Sequence, residues 1–82
     1  MAATRLNIMD WFQDGQSNGA THMIIMCDTY DHDDYPAYVM PGESAKDKAD
    51  TLAKGSMQRV MEVYNLNKDM VMQLNQPRSF EY

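Results

Sequence analysis

The sequence predicts a small α+β domain: a three-stranded antiparallel sheet in spatial order 2-1-3, within a chain order α-β-β-α-β-α. Three observations predict it. The run Met23-Ile24-Ile25-Met26-Cys27 is apolar at every position, as expected of a strand that is central and covered on both faces. Two flanking runs of strand character, Tyr35–Met40 with Pro36 inside it and Met57–Asn65, supply its neighbours. Before, between and after these runs, apolar residues recur at helical spacing. The 82 residues make one domain, 1–82, which excludes a two-domain enzyme, a doubly wound nucleotide fold and a barrel.

Each element has its own signal. Asn7 is a candidate N-cap for a first helix with Ile8, Trp11 and Phe12 on one face; Gly15 and Asn18-Gly19 end it near residue 17. Thr21–Asp28 is the first strand, and Thr29–Asp34 the polar hairpin connection. Tyr35–Met40 follows as an edge strand, since Pro36 cannot donate to a ladder, and Pro41-Gly42 closes it. Ser44 with Asp47 three residues on starts a second helix. Its stripe of Ala45, Ala49, Leu52 and Ala53 is made of small residues that allow close approach to a sheet. Gly55 ends it. Met57–Asn65 is the third strand, apolar on both faces through Val60, Met61, Val63 and Tyr64. Asn67 is a candidate cap for a last helix with Met70, Val71 and Leu74 as its apolar side, stopped by Pro77. Phe80 is expected to dock.

A first strand apolar on both sides needs two covering layers. Either the chain's own helices divide over both faces, or the second face is an oligomer interface. A homo-oligomer is the expectation, because so small a domain gains stability by assembly.

Net charge is −5, with seven Lys+Arg against twelve Asp+Glu. That argues against a basic nucleic-acid-binding surface, and so against direct nucleic-acid binding. The imbalance is local: Asp28, Asp31, Asp33 and Asp34 fall within the hairpin, with no Lys or Arg among them. One cysteine excludes an internal disulfide and a cysteine-rich zinc site. The longest apolar run is far too short to cross a bilayer, and no signal peptide is visible. The expectation is a cytoplasmic protein with no membrane partner.

The hairpin is the densest cluster of chemistry. Its carboxylates and His32 are a hard-cation donor type, but the spacing is not that of an EF-hand and the central glycine is missing. The simpler reading is a solvated loop or an acidic docking face made by Asp31, His32, Asp33 and Asp34. Asp28 either caps loop amides or accepts a hydrogen bond at a pocket rim. Tyr30, Tyr35 and Tyr38 bracket the hairpin; they either cover the sheet or stack on a planar ligand. Lys54 and Arg59 are candidate phosphate contacts, although the C-terminal end of a helix is the wrong pole for an anion. His22 reads as a surface residue at the strand start and Cys27 as a packing residue. No catalytic group, metal or cofactor is assigned.

Asp10-Trp11-Phe12, Gly19-Ala20-Thr21-His22-Met23-Ile24, Cys27-Asp28-Thr29-Tyr30, Asp34-Tyr35-Pro36, Tyr38-Val39 and Met57-Gln58-Arg59-Val60-Met61-Glu62-Val63-Tyr64 resemble segments of small proteins encoded by bacteriophages and mobile elements. The resemblance spans roughly residues 10–66. It implies an accessory setting, the host cytoplasm, and a role in blocking a host protein or sequestering a defence signal. The leading expectation is a non-enzymatic homo-oligomer that counters host immunity. It would hold a nucleotide-like signal at a subunit interface through Tyr30, Tyr35, Tyr38, Asp28, Lys54 and Arg59. The alternative is an inhibitor whose acidic hairpin docks on a basic host protein. A small metal-dependent hydrolase built on the same loop is the third reading.

Overall fold

The computed structural model describes residues 3–82. Its elements are α1 (Arg5–Ser17), β1 (His22–Asp28), β2 (Asp33–Val39), α2 (Ala45–Ala53), β3 (Gln58–Asn65) and α3 (Met70–Leu74). The sheet is antiparallel in the order β2-β1-β3. This is the α+β arrangement and strand order that the sequence predicts. The radius of gyration is 11.8 Å, close to the ~12 Å expected of one compact unit of this length.

β1 is central because nothing along it tolerates water. Met23, Ile24, Ile25 and Met26 are all at most 1% exposed. The residues alternate between two cores. Met23 and Ile25 pack with Phe12, Ala20, Tyr64 and Leu66, under Ile8 and Trp11 of α1 and Met70 and Leu74 of α3. Ile24 and Met26 pack with Val39, Val63, Ala45 and Ala49, under α2. Both faces are therefore covered by the chain's own helices. The two-faced apolarity that suggested a homo-oligomer is accounted for within one chain, so it is no longer a reason to invoke a partner.

A bulge sorts β3 between these cores. Ile25 pairs with Glu62 but Met26 with Val60, leaving Met61 as the extra residue. Strict alternation would put Val60 and Val63 on opposite faces. The bulge puts both in the α2 core and lets Met61 and Tyr64 share the α1 core.

Both sheet edges are closed. The Tyr38 carbonyl turns away from β1 and accepts the Lys48 ammonium at 2.7 Å. Pro36, two residues earlier, shares that orientation, so its missing N–H is missing from the free edge and not from the ladder. On β3, the Val63 amide donates to Ser79 O at 2.8 Å and the Glu81 amide donates to Val63 O at 2.9 Å. The tail thereby adds one parallel bridge, Val63 to Phe80, to an otherwise antiparallel sheet. At Asn65 the buried Gln73 side chain replaces a strand: Oε1 accepts the Asn65 amide at 2.7 Å, and Nε2 donates to Asn65 O at 2.9 Å.

Several local expectations are corrected. Thr4, not Asn7, caps α1; Asn7 is the other half of the capping box, its Oδ1 accepting the Thr4 amide. β2 starts at Asp33, so the hairpin loop is shorter than expected, and Met40 lies beyond the strand. Ser44 caps α2 as expected, but Ala53 is exposed and Leu52 only half-buried. Asp69, not Asn67, caps α3. Val71 faces solvent, and Gln73 takes the buried place beside Met70 and Leu74. The tail docks through its main chain and Ser79, while Phe80 stays 44% exposed.

Candidate functional site

The turn between β1 and β2 forms one end of the sheet. Asp28 Oδ1 accepts the amides of Tyr30 at 2.8 Å and Asp31 at 3.4 Å. A short carboxylate reaches amides two and three residues on, which is how an aspartate holds a turn. Asp28 thus organises the loop. His32 completes the turn with a left-handed φ of 58°. Met57, just before β3, is also left-handed at 60°, and its carbonyl accepts the Thr29 amide at 2.9 Å. Two non-glycine residues in this sparsely populated region flank the same end.

The strain accompanies exposed apolar groups. Tyr30 is 74% exposed and Met57 56% exposed. Asp31, His32 and Asp33 are exposed alongside them. Asp34 is half-buried, and its Oδ2 accepts the Ala3 amide at 3.1 Å. Asp34, Cys27 and Arg59 form a row across the three strands. Burial raises the Cys27 pKa, Asp34 adds to the rise, and Arg59 opposes it. The group stays a buried thiol, chemically quiet.

The other predicted ligand residues separate. Tyr35 lies on the α2 face, where its hydroxyl donates to Gln58 Oε1 at 3.1 Å. Gln58 Nε2 in turn donates to Leu52 O at 2.8 Å. Tyr38 lies on the α1 face and its hydroxyl donates to Trp11 O at 2.8 Å; burial, then Asp14, raises its pKa. A spacing of three residues along a strand places side chains on opposite faces, so this split was legible in the sequence. Lys54 is the C-cap of α2, whereas Arg59 shares the face of Cys27. Tyr30, Tyr35, Tyr38, Lys54 and Arg59 therefore do not line one pocket on a single chain.

Among the described residues, no three His, Cys, Asp or Glu side chains converge as a cation site. An open depression of about 340 Å³ lies beside α2, lined by Glu43, Ser44, Asp47, Lys48 and Thr51. None of the predicted site residues reaches it. Its one cation is engaged by Tyr38 O and by Glu43 at 3.4 Å. Among the described residues, no helix is long and apolar enough to cross a membrane.

Sequence reasoning missed Met57 as part of the site, reading it as the first residue of a strand. It also read His22 as a surface residue. The imidazole is half-buried, its Nδ1 lies 2.9 Å from Thr21 Oγ1, and its Nε2 is buried without a hydrogen-bond partner.

No protein-family model, no curated protein and no solved structure matches the chain.

Proposed function

We propose that the chain is a non-enzymatic binding protein that docks the Asp28–Asp34 end of its sheet on a basic protein surface. The observation that carries this reading is the pairing of exposed Tyr30 and Met57 with the acidic turn. Tyrosine and methionine are residues that interfaces recruit, and a surrounding charge of one sign steers a partner of the other. Asp28 and the two left-handed residues hold the turn in shape before a partner arrives, which lowers the ordering cost of binding. Inhibition of a host protein, as the resemblance to mobile-element proteins implies, is part of the proposal. Nucleotide capture is the weaker reading, because Tyr35 and Tyr38, two of the stacking candidates, fall on opposite faces of the sheet.

The test uses an arginine-rich peptide and purified nucleic-acid-binding domains as basic probes, with anisotropy read at two salt concentrations. Binding should weaken as salt rises. The combined substitutions Asp31→Asn, Asp33→Asn and Asp34→Asn should weaken it by on the order of tenfold with the fold intact. Tyr30→Ser should weaken it with little change in salt dependence. Equal binding by all three proteins would sink the proposal. Recovery of an intact nucleotide from denatured protein after incubation would favour sequestration instead.

A further inference from the structure

α1 joins β1 through two exposed residues, Asn18 and Gly19. Asn18 is the C-cap of α1, with φ −91° and ψ 2°, and its amide donates to Asp14 O at 3.1 Å. Gly19 has a left-handed φ of 79°, which glycine adopts at little steric cost. A Cβ built on it would meet nothing within 4 Å, so the joint faces open space. Burial resumes at Ala20, 8% exposed, whose amide donates to Gly15 O at 2.9 Å.

The Asn18 side chain differs from the other asparagines. Asn7 Oδ1 accepts the Thr4 amide, Asn65 Oδ1 accepts the Asn67 amide, and Asn75 Oδ1 accepts Arg5 Nη2. Asn18 has no side-chain hydrogen bond among the described residues, so its carboxamide is free to turn toward the chain. Asn67 also lacks one, but a lysine follows it, and a side chain on the next residue crowds the approach to its main-chain nitrogen. Glycine after Asn18 offers no such obstacle.

An asparagine in this position can react with its own main chain. Gly19 N attacks Asn18 Cγ, the N–Cγ bond forms and the Cγ–Nδ2 bond breaks. The Gly19 amide proton leaves with the Nδ2 group, through hydroxide and water, as ammonia. Water then opens the resulting five-membered succinimide. Opening at Cγ gives an aspartate; opening at the main-chain carbonyl gives an isoaspartate, whose main chain runs through Cβ and Cγ. Water is the one co-reactant, and no electrons are transferred.

In the folded chain the attacking nitrogen is held by one bond, from Gly19 N to Gln16 O at 3.1 Å. That bond belongs to the exposed last turn of a helix, where opening is local. The body of α1 stays anchored meanwhile, because Gln16 Nε2 donates to Leu66 O at 2.9 Å and Phe12 is buried in the core. β1 is anchored on the other side by the Thr21 amide, which donates to Val39 O at 2.7 Å.

We propose that Asn18-Gly19 is a self-modification site of the folded chain, at which Asn18 becomes aspartate and isoaspartate without global unfolding. Both products place a carboxylate at the C-terminal pole of α1, the unfavourable end for an anion, and one turn after Asp14. Isoaspartate also lengthens the main chain between the Asp14 bond and the buried Ala20. The modified chain should therefore melt below the unmodified one.

The test is a timed incubation of the full chain at mildly alkaline pH, folded in buffer and unfolded in urea, followed by peptide mapping. The expected product is an Asn18 peptide with NH2 exchanged for OH, separating into two isomers, with ammonia released in equal amount. Opening one or two main-chain bonds slows the folded reaction by up to about a hundredfold relative to the unfolded chain. Reaction through global unfolding alone would slow it by roughly a thousandfold or more in a domain of this size. A folded rate within about a hundredfold of the rate in urea, with Asn18 reacting ahead of Asn7, Asn65, Asn67 and Asn75, is the expected result. A slower folded rate, or another asparagine reacting first, overturns the proposal. Asn18→Gln must close a larger ring and should abolish the release of ammonia from the folded chain; release at the wild-type rate overturns it as well. Circular dichroism at the start of each incubation in buffer confirms that the fold is present.

Discussion

Replacing Gln73 by Leu tests how β3 is closed at its last residue. The Gln73 amide is fully buried. Its Oε1 holds the Asn65 amide at 2.7 Å, and its Nε2 donates to Asn65 O at 2.9 Å and to Asp69 O at 3.1 Å. Leucine fills similar space but offers no polar atom. Asp69 O keeps the Gln73 main-chain amide, so two groups, both on Asn65, are left without partners. Each buried unpaired group costs about 1–3 kcal/mol. Water entering near the end of the strand would recover part of that, so the net loss is set at about 2–4 kcal/mol. A domain of this size has roughly 4–12 kcal/mol in total, and its Tm moves by about 4–8 °C per kcal/mol. The expected fall in Tm is therefore about 8–32 °C, read by circular dichroism and by urea unfolding with an unchanged m-value. Gln73→Glu keeps the acceptor for the Asn65 amide but buries a carboxylate against the Asn65 and Asp69 carbonyls, so at neutral pH it should be destabilised at least as much as the leucine variant. A leucine variant that melts within about 2 °C of wild type would show that Gln73 does not close the edge.

Gly15→Ala should destabilise, although alanine is the better helix former by about 1 kcal/mol. The new methyl would sit 2.7 Å from Leu66 Cδ1 and 2.7 Å from Tyr38 Cε1, an overpacking cost of about 1–3 kcal/mol; a rise in Tm would refute this. Stability should fall as pH drops from about 7 toward 5. Burial lowers the His22 pKa from 6.5, so the unfolded chain takes up that proton first, and the contribution present above 6.5 is lost on acidification. His22→Asn should flatten that part of the denaturation-midpoint profile, and an unchanged slope would exclude His22 as its source. Ala49→Asp should unfold the domain, because Ala49 is 3% exposed and an unpaired carboxylate there costs several kcal/mol. Leu52→Asp should cost clearly less, since a half-buried position lets the carboxylate reach water; equal melting of the two variants would mean that α2 is seated differently.

The sequence by itself determined the elements and their order, because each depends on residues close together in the chain. An unbroken apolar run makes β1 central, Pro36 puts β2 at an edge, and Ser44 with the small-residue stripe makes α2 and lays it on the sheet. The acidic turn and the capping role open to Asp28 were legible for the same reason. What only the tertiary structure decided depends on groups brought together from far apart. Whether the second face of β1 needed another chain depended on α1 and α3 sharing one side and α2 taking the other. The bulge at Met61 reassigned the faces of β3 to fit those two cores. Gln73 looks like a surface residue until Asn65 presents it with an unpaired amide and carbonyl, and exposed Tyr30 gains Met57 as a neighbour of its turn only through the bond from the Thr29 amide to Met57 O. Periodicity reports which residues avoid water; it carries no record of which distant backbone groups will need a partner, and that requirement settled the edges of this sheet.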